Sequence, residues 1–331
     1  MTSYLTWLIE NTATRWWHDS ADPAELDTGL ARGAVGVTTN PVLAAAAVKK
    51  NRERWRDAID RALTRALPPE QQAEALMRVA VTEAAAKLPG FVCAQVNPAR
   101  AGDRDCMAAM AKRFHAWAPN VAVKLPATAA GLDVLEDCIA QGITTAATVS
   151  FTVPQVLAIA ERHRAGQIRA RERGLEPGTC FAVIMIGRLD DYLRDVARDR
   201  RAEVSESDIR QAGLAVAKRA YAVYRQRAYD AVLLVAALRG PYHLTELAGA
   251  DLVMSIHPSY QGSFVSGDFA REPRIDRPVP EQVIERLRQL PDFVRAYEPD
   301  GMRAPEFMTY GLTQRTLSQF DASWKELETY G

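Results

Sequence analysis

One pattern constrains this chain more than any other: short candidate strands, most of them near-continuous apolar runs, alternate with stretches of helical period along its whole length. Eight runs can be counted, at 15–19 (R-W-W-H-D), 36–40 (G-V-T-T-N), 91–97 (F-V-C-A-Q-V-N), 121–126 (V-A-V-K-L-P), 144–151, 181–187, 231–237 and 251–257. Apolar runs without polar alternation are what strands buried on both faces look like, as parallel strands covered by helices are. Eight β-α alternations in 331 residues predict an α/β protein, and a (β/α)8 barrel in preference to an open sheet. No G-x-G-x-x-G follows the first run and no Walker A loop occurs, which lowers the dinucleotide-binding and P-loop alternatives. The chain is expected to form one barrel domain over residues 1–331. Its last part, from about 279 onward and beyond Pro273, Pro278 and Pro280, reads as a helical extension.

Helix starts are marked between the runs. Asp22-Pro23-Ala24-Glu25 supplies an N-cap, a proline at the first helical position and a capping-box glutamate. Thr152-Val153-Pro154-Gln155 repeats the design. Helices are also expected over Pro69–Lys87 and over 205–228.

Composition excludes several roles. Lys plus Arg and Asp plus Glu both total 41, so the basic excess that a nucleic-acid partner demands is missing. No apolar run approaches the roughly 18 residues of a membrane span, and the N-terminus lacks the basic start of a signal peptide. Cys93, Cys106, Cys138 and Cys180 show no C-x-x-C spacing. They suit a reducing cytoplasm.

Barrel enzymes carry their chemistry at the C-terminal ends of the strands. The polar residues there are Asp19, Thr39 and Asn40, Gln95 and Asn97, Lys124, Thr148 and Ser150, Arg188, Arg239 and His257. Lys124 stands out, a lysine inside an apolar strand. Burial favours the neutral amine, and a neutral amine is the nucleophile that condenses with a ketone. The competing reading is a strand-end lysine that reaches water or pairs with Asp19 or Glu246. Asp19 fits two roles, ion-pair partner or proton shuttle. Asn40-Pro41 fits a turn or a hydroxyl-binding amide, and Thr148 a core hydroxyl or a water holder. Arg188 and Arg239, at successive strand ends, suit phosphate, although either alone fits a surface ion pair. His243 and His257 with Asp19 lack paired metal-ligand spacing. No metal or cofactor is expected.

These segments resemble the transaldolase family. G-V-T-T-N-P-V-L (36–43) resembles its first signature, V-K-L-P-A-T-A-A-G (123–131) its Schiff-base segment and G-I-T-T-A-A-T-V-S-F (142–151) the strand that follows. I-G-R-L-D-D (186–191) and A-A-L-R-G (236–240) resemble its phosphate-arginine segments. The resemblance implies a Schiff base on Lys124 and proton transfer from a C4 hydroxyl by Asp19. It also implies substrate binding by Asn40, with Thr39 and Ser150 beside it, water held by Thr148, and a sugar phosphate held by Arg188 and Arg239. The expected activity is transfer of a dihydroxyacetone unit from a ketose to an aldose acceptor. The chain departs from the pattern at Gln95, where the family has a catalytic glutamate, at Ala146 for an asparagine, and at Val183 and Ala237 for phosphate-site serines. A glutamine at the position of Gln95 also occurs in the fructose-6-phosphate aldolase branch, which keeps open a lyase that uses free dihydroxyacetone. A sugar-phosphate-binding barrel without catalysis is the third alternative. The partners expected are small sugars or sugar phosphates. The residues do not fix the oligomeric state, although related barrels often form homo-oligomers.

Overall fold

The computed structural model describes residues 3–64 and 67–330. Seven strands form one parallel sheet: β1 (Arg15–His18), β2 (Val92–Gln95), β3 (Val121–Pro126), β4 (Thr145–Thr148), β5 (Cys180–Met185), β6 (Val232–Ala236) and β7 (Val253–Ile256). Their spatial order is β1-β7-β6-β5-β4-β3-β2, each pair parallel, with helices between successive strands. This is the α/β class read from the sequence, with most strands shorter than the apolar runs.

The eighth expected strand, 36–40, is not a strand. Only Val37 takes ladder geometry, bridged to His18 of β1 on one side and to Val92 of β2 on the other. The local chemistry explains why pairing stops there. Asn40 turns outward to cap the helix Pro41–Lys50, its Oδ1 accepting from Leu43 N. Pro41 has no N–H to continue a ladder. Gly36 lies so close to Trp17 that an added Cβ would stand 2.5 Å from the indole.

Inside the curl, side chains alternate by the two-residue period. Trp17, Phe91 and Phe181 meet with ring centroids 4.5 Å (Trp17–Phe181) and 5.6 Å (Phe91–Phe181) apart. Asp19 and Val183 each stand two residues further along their chains, so this aromatic cluster floors the space above it. Burying such rings is worth about 1.5–3 kcal/mol each.

The helix starts are as expected at Asp22 and Thr152, with altered bonding. Asp22 accepts from Ala24 N and Glu25 N, but Glu25 does not return to the cap: its carboxylate takes Ser20 Oγ and Lys50 Nζ. Gln155 Oε1 reaches one residue further back, to Phe151 N. Helices Pro69–Lys87 and Glu206–Arg227 match the sequence reading, and helices recur through the last fifty residues up to Gly311–Glu328. That last helix packs on Pro41–Lys50 and Pro69–Lys87. No described helix is long and apolar enough to cross a membrane.

Candidate active site

A cavity of about 330 Å³ opens at the C-terminal ends of the strands. Asp19, Asn40, Lys124, Thr148, Arg188 and Arg239, from six separate segments of the sequence reading, all line it. A larger groove of about 1100 Å³ lies among the outer helices, between Trp55 and Trp117 and over the Arg113–Glu74 ion pair. It is remote from the strand ends.

Lys124 is buried on β3, in register with Gln95 on β2 and Ala146 on β4. Its Nζ donates to the Thr39 carbonyl at 3.0 Å, and among the described residues it has no ion-pair partner. Neither expected partner holds it. Asp19 acts only through space, and Glu246 binds Lys218 and Arg274. Burial therefore pushes the amine below its usual pKa, and Arg188 adds to the effect. Cys93 opposes it only as a thiolate, and burial pushes that thiol up to about 11, so at neutral pH it supplies no counter-charge. A neutral amine that donates one N–H to a carbonyl keeps its lone pair for attack.

Asp19 is half-buried. Its Oδ1 accepts from Thr38 Oγ1 at 2.8 Å, and the Thr38 hydroxyl also meets Ser255 Oγ. Thr148 is buried, with only a 3.9 Å contact to Met185 Sδ. After it comes Val149, buried with φ of 54°. For a β-branched residue this is a strained conformation, worth roughly 1–3 kcal/mol. Gln155 Nε2 pins it by donating to the Val149 carbonyl at 3.1 Å.

Gln95 is buried beside Lys124, and its Oε1 has no hydrogen-bond partner. A buried amide oxygen left unpaired is destabilising by about 1–3 kcal/mol, so a water or a substrate hydroxyl there would gain a ready acceptor.

Three named residues face elsewhere. Thr39 is buried with its hydroxyl donating to the Cys93 carbonyl at 2.7 Å, and only its own carbonyl meets the lysine. Ser150 is buried with its hydroxyl on the Val183 carbonyl. Asn97 caps a short turn and binds Glu70.

On the β5–β6 side, Arg188 donates to Gln319 and lies 5.1 Å from the Phe320 ring centroid. Burial first, then Arg239, pushes its pKa down. Arg239 binds Asp191, with Nη2 at 2.7 Å. Ala237 has φ of 58°, and Gly187 is what lets the next helix approach it: an added Cβ would stand 2.1 Å from the Ala237 oxygen. His243 is not at the cavity. Its Nε2 lies 3.0 Å from Asp190 Oδ2, both buried. His257 does line the cavity, but its Nδ1 caps the helix Pro258–Ser266.

Sequence reasoning missed Thr38, Ser255, Tyr260 and Phe320, which also line the cavity. The first two carried a signal. Thr38 shares a face with Asn40, and Ser255 with His257, by the two-residue period.

Comparison with known proteins agrees over nearly the whole chain. The family model described as transaldolase/fructose-6-phosphate aldolase matches residues 16–330. A transaldolase of Kocuria rhizophila is 30% identical over 58% of this chain, and the match spans only 56% of that relative. A probable transaldolase of Dehalococcoides mccartyi is 27% identical over 70% of this chain and 80% of its own length. A transaldolase of Mycolicibacterium smegmatis is 25% identical over 93% of this chain and 95% of its own. With the lysine, the carboxylate and both arginines gathered around one cavity, the match is coherent in space as well as in sequence, and the chain belongs to the transaldolase/fructose-6-phosphate aldolase family.

Proposed function

We propose that the protein is a Schiff-base enzyme that moves a dihydroxyacetone unit from a ketose to an aldose acceptor. The observation that carries this reading is Lys124: an amine buried at the strand ends, held by one backbone carbonyl and with no ion-pair partner among the described residues. Its lone pair attacks the ketose C2, and loss of water gives an iminium. Asp19, oriented by Thr38, takes the proton of the C4 hydroxyl. The C3–C4 bond breaks, its electron pair enters the iminium as an enamine, and the first aldehyde leaves. The enamine carbon then adds to the acceptor aldehyde, Asp19 returns the proton, and water hydrolyses the new iminium. We assign this water to Thr148, which lines the cavity, and to the unpaired oxygen of Gln95, which is in register with Lys124 though not itself in the cavity wall. Asn40, with one side of its amide used as a cap, keeps Nδ2 for a substrate hydroxyl.

Val37, bridged to both β1 and β2, supports reading the sheet as a closed barrel whose eighth stave is one residue long. We read residues 1–331 as one such unit, with the helices from about 279 laid against it, and the free cysteines suit a cytoplasmic setting.

Borohydride reduction in the presence of a ketose tests the reading. A reduced adduct is expected on Lys124, and Lys124→Ala should lose turnover by at least about 10³-fold. Turnover without any adduct would sink it. Gln95 favours a second reading. Glutamine at this position is shared with the fructose-6-phosphate aldolase branch that the chain resembles, which suits an aldolase that releases free dihydroxyacetone. Product formed from free dihydroxyacetone plus an aldehyde supports that lyase, and a strict need for two sugars excludes it.

A further inference from the structure

The wall between Asp19 and the arginines carries a donor that the proposed chemistry leaves unused. In strand order only β7 separates β6, which is followed by Arg239, from β1, which is followed by Asp19. His257 directly follows β7 with extended backbone, so its side chain keeps to the face of Ser255, two residues back. That face is the cavity's, since Ser255 and His257 both line it. Across the ladder its neighbour is Asp19: His18 pairs with Ile256, and Asp19 N donates to the Ile256 carbonyl at 3.2 Å.

The partners of the imidazole assign its tautomer. Nδ1 accepts from Ser259 N at 3.2 Å and meets Ser259 Oγ at 2.8 Å. A ring nitrogen that accepts from an amide N–H carries no proton of its own, so the proton of the neutral ring is on Nε2. That leaves Nε2–H as a donor at the tip of the ring, and among the described residues nothing accepts from it. The serine hydroxyls of this wall are engaged. Ser255 Oγ meets Thr38 Oγ1, which donates to Asp19, and Ser259 Oγ meets the imidazole itself.

We propose that His257 Nε2–H binds the C5 hydroxyl of a ketose phosphate, and so makes the site select its substrate beyond the carbons that react. This rests on the ketose reading of the cavity. With C2 on Lys124, the C4 hydroxyl at Asp19 and a C6 phosphate at Arg188 and Arg239, the carbon left between carboxylate and arginines is C5, and the strand left between them is β7. Fructose 6-phosphate and its 5-deoxy analogue differ in that hydroxyl alone. The analogue cannot close a furanose ring, but this difference belongs to the sugars and cancels when two forms of the protein are compared. The ratio of analogue Kd to parent Kd, from calorimetric titration of the intact protein, should fall about five- to tenfold in His257→Asn, the worth of one neutral hydrogen bond. Asparagine keeps an acceptor for Ser259 N, and with it the helix start, but has no N–H at the position of Nε2. The analogue's own Kd should therefore stay near wild type. An unchanged ratio overturns the proposal. Tyr260 brings a hydroxyl to the same wall, and a fall in Tyr260→Phe as large as in His257→Asn also overturns it. So does a wild-type protein that binds neither sugar. Borohydride trapping of the same two sugars reads the Schiff base separately. If neither leaves an adduct on Lys124 the imine fails, while the Kd ratio still decides His257.

Discussion

The two ends of the cavity differ in how their charges are treated. At the lysine end, ionisable groups are left without an ion-pair partner among the described residues. Lys124 has only a carbonyl, and Asp19 receives a hydroxyl instead of a cation. At the arginine end Arg239 is paired with Asp191, while Arg188 meets the neutral Gln319 and lies 5.1 Å from the Phe320 ring centroid. An unneutralised group is unstable and reactive, whereas a neutralised one is stable and serves to place things. On the proposed function, chemistry falls to the β1–β4 side and grip to the β5–β6 side.

Asp19→Asn tests the first half and should have the largest effect. The amide keeps a hydrogen bond to Thr38 but cannot take a proton. Turnover should fall roughly 10²–10⁴-fold, while the yield of borohydride adduct on Lys124 stays close to wild type. If adduct and turnover fall together, Asp19 acts on imine formation and the two steps are not separated as argued.

A second contrast lies behind the two ends, where a buried histidine supports each. Behind the arginine end, His243 Nδ1 accepts from Arg239 N and Nε2 faces Asp190. Behind the lysine end, His18 has no carboxylate partner. Gln261 Nε2 donates to its Nδ1 at 3.0 Å, and its Nε2 is buried and unpaired. Burial holds its pKa down to about 4, against the weaker opposing pull of Asp19, Glu25 and Asp22, while His257 adds to the drop. The folded state thus binds its proton less readily than the unfolded chain, whose value is 6.5. Stability from this group is complete above 6.5 and is lost as pH falls toward 4. The loss is about 3 kcal/mol over that window. Urea midpoints of wild type and His18→Asn, followed from pH 7 to 4, should converge as the pH drops. Parallel curves would show that His18 is not the acid-sensitive support of the lysine end.

Much of this was legible in the residues, because strand burial and chemistry both leave local marks. Lys124 in an apolar run and the strand-end positions of Asp19, Arg188 and Arg239 needed no long-range information. Thr39 shows where local reading slipped: in an extended run it cannot share a face with Asn40, so Thr38 was the better choice. The strand at 36–40 misled because Val37, Thr38 and Thr39 are β-branched and suit a strand, but Asn40-Pro41 ends the ladder. Phe320 had no local mark at all. It reaches the cavity only because the helix Gly311–Glu328 docks on helices hundreds of residues earlier in the chain. The same holds for the Arg239–Asp191 pair, 48 residues apart, which the run I-G-R-L-D-D does not announce.

Gly187 offers the smallest and most selective test. It lies one residue before Arg188, against the Ala237 carbonyl and the Arg239 side chain, where an added Cβ would stand 2.1 Å and 2.6 Å away. Backbone cannot yield as a flexible side chain can, so Gly187→Ala must push the 237–239 segment away from the helix Ile186–Arg200. Overpacking of this kind is destabilising by about 1–3 kcal/mol. Because Arg239 holds Asp191 across this contact, the shift disturbs the grip without touching Lys124, Asp19 or Thr38. KM for an anionic ketose should therefore rise several-fold, roughly 1 kcal/mol, with kcat near wild type and KM for fructose unchanged. A fall in kcat with KM intact would mean that the arginine end takes part in the bond-breaking step, and the division of labour between the two ends would not stand.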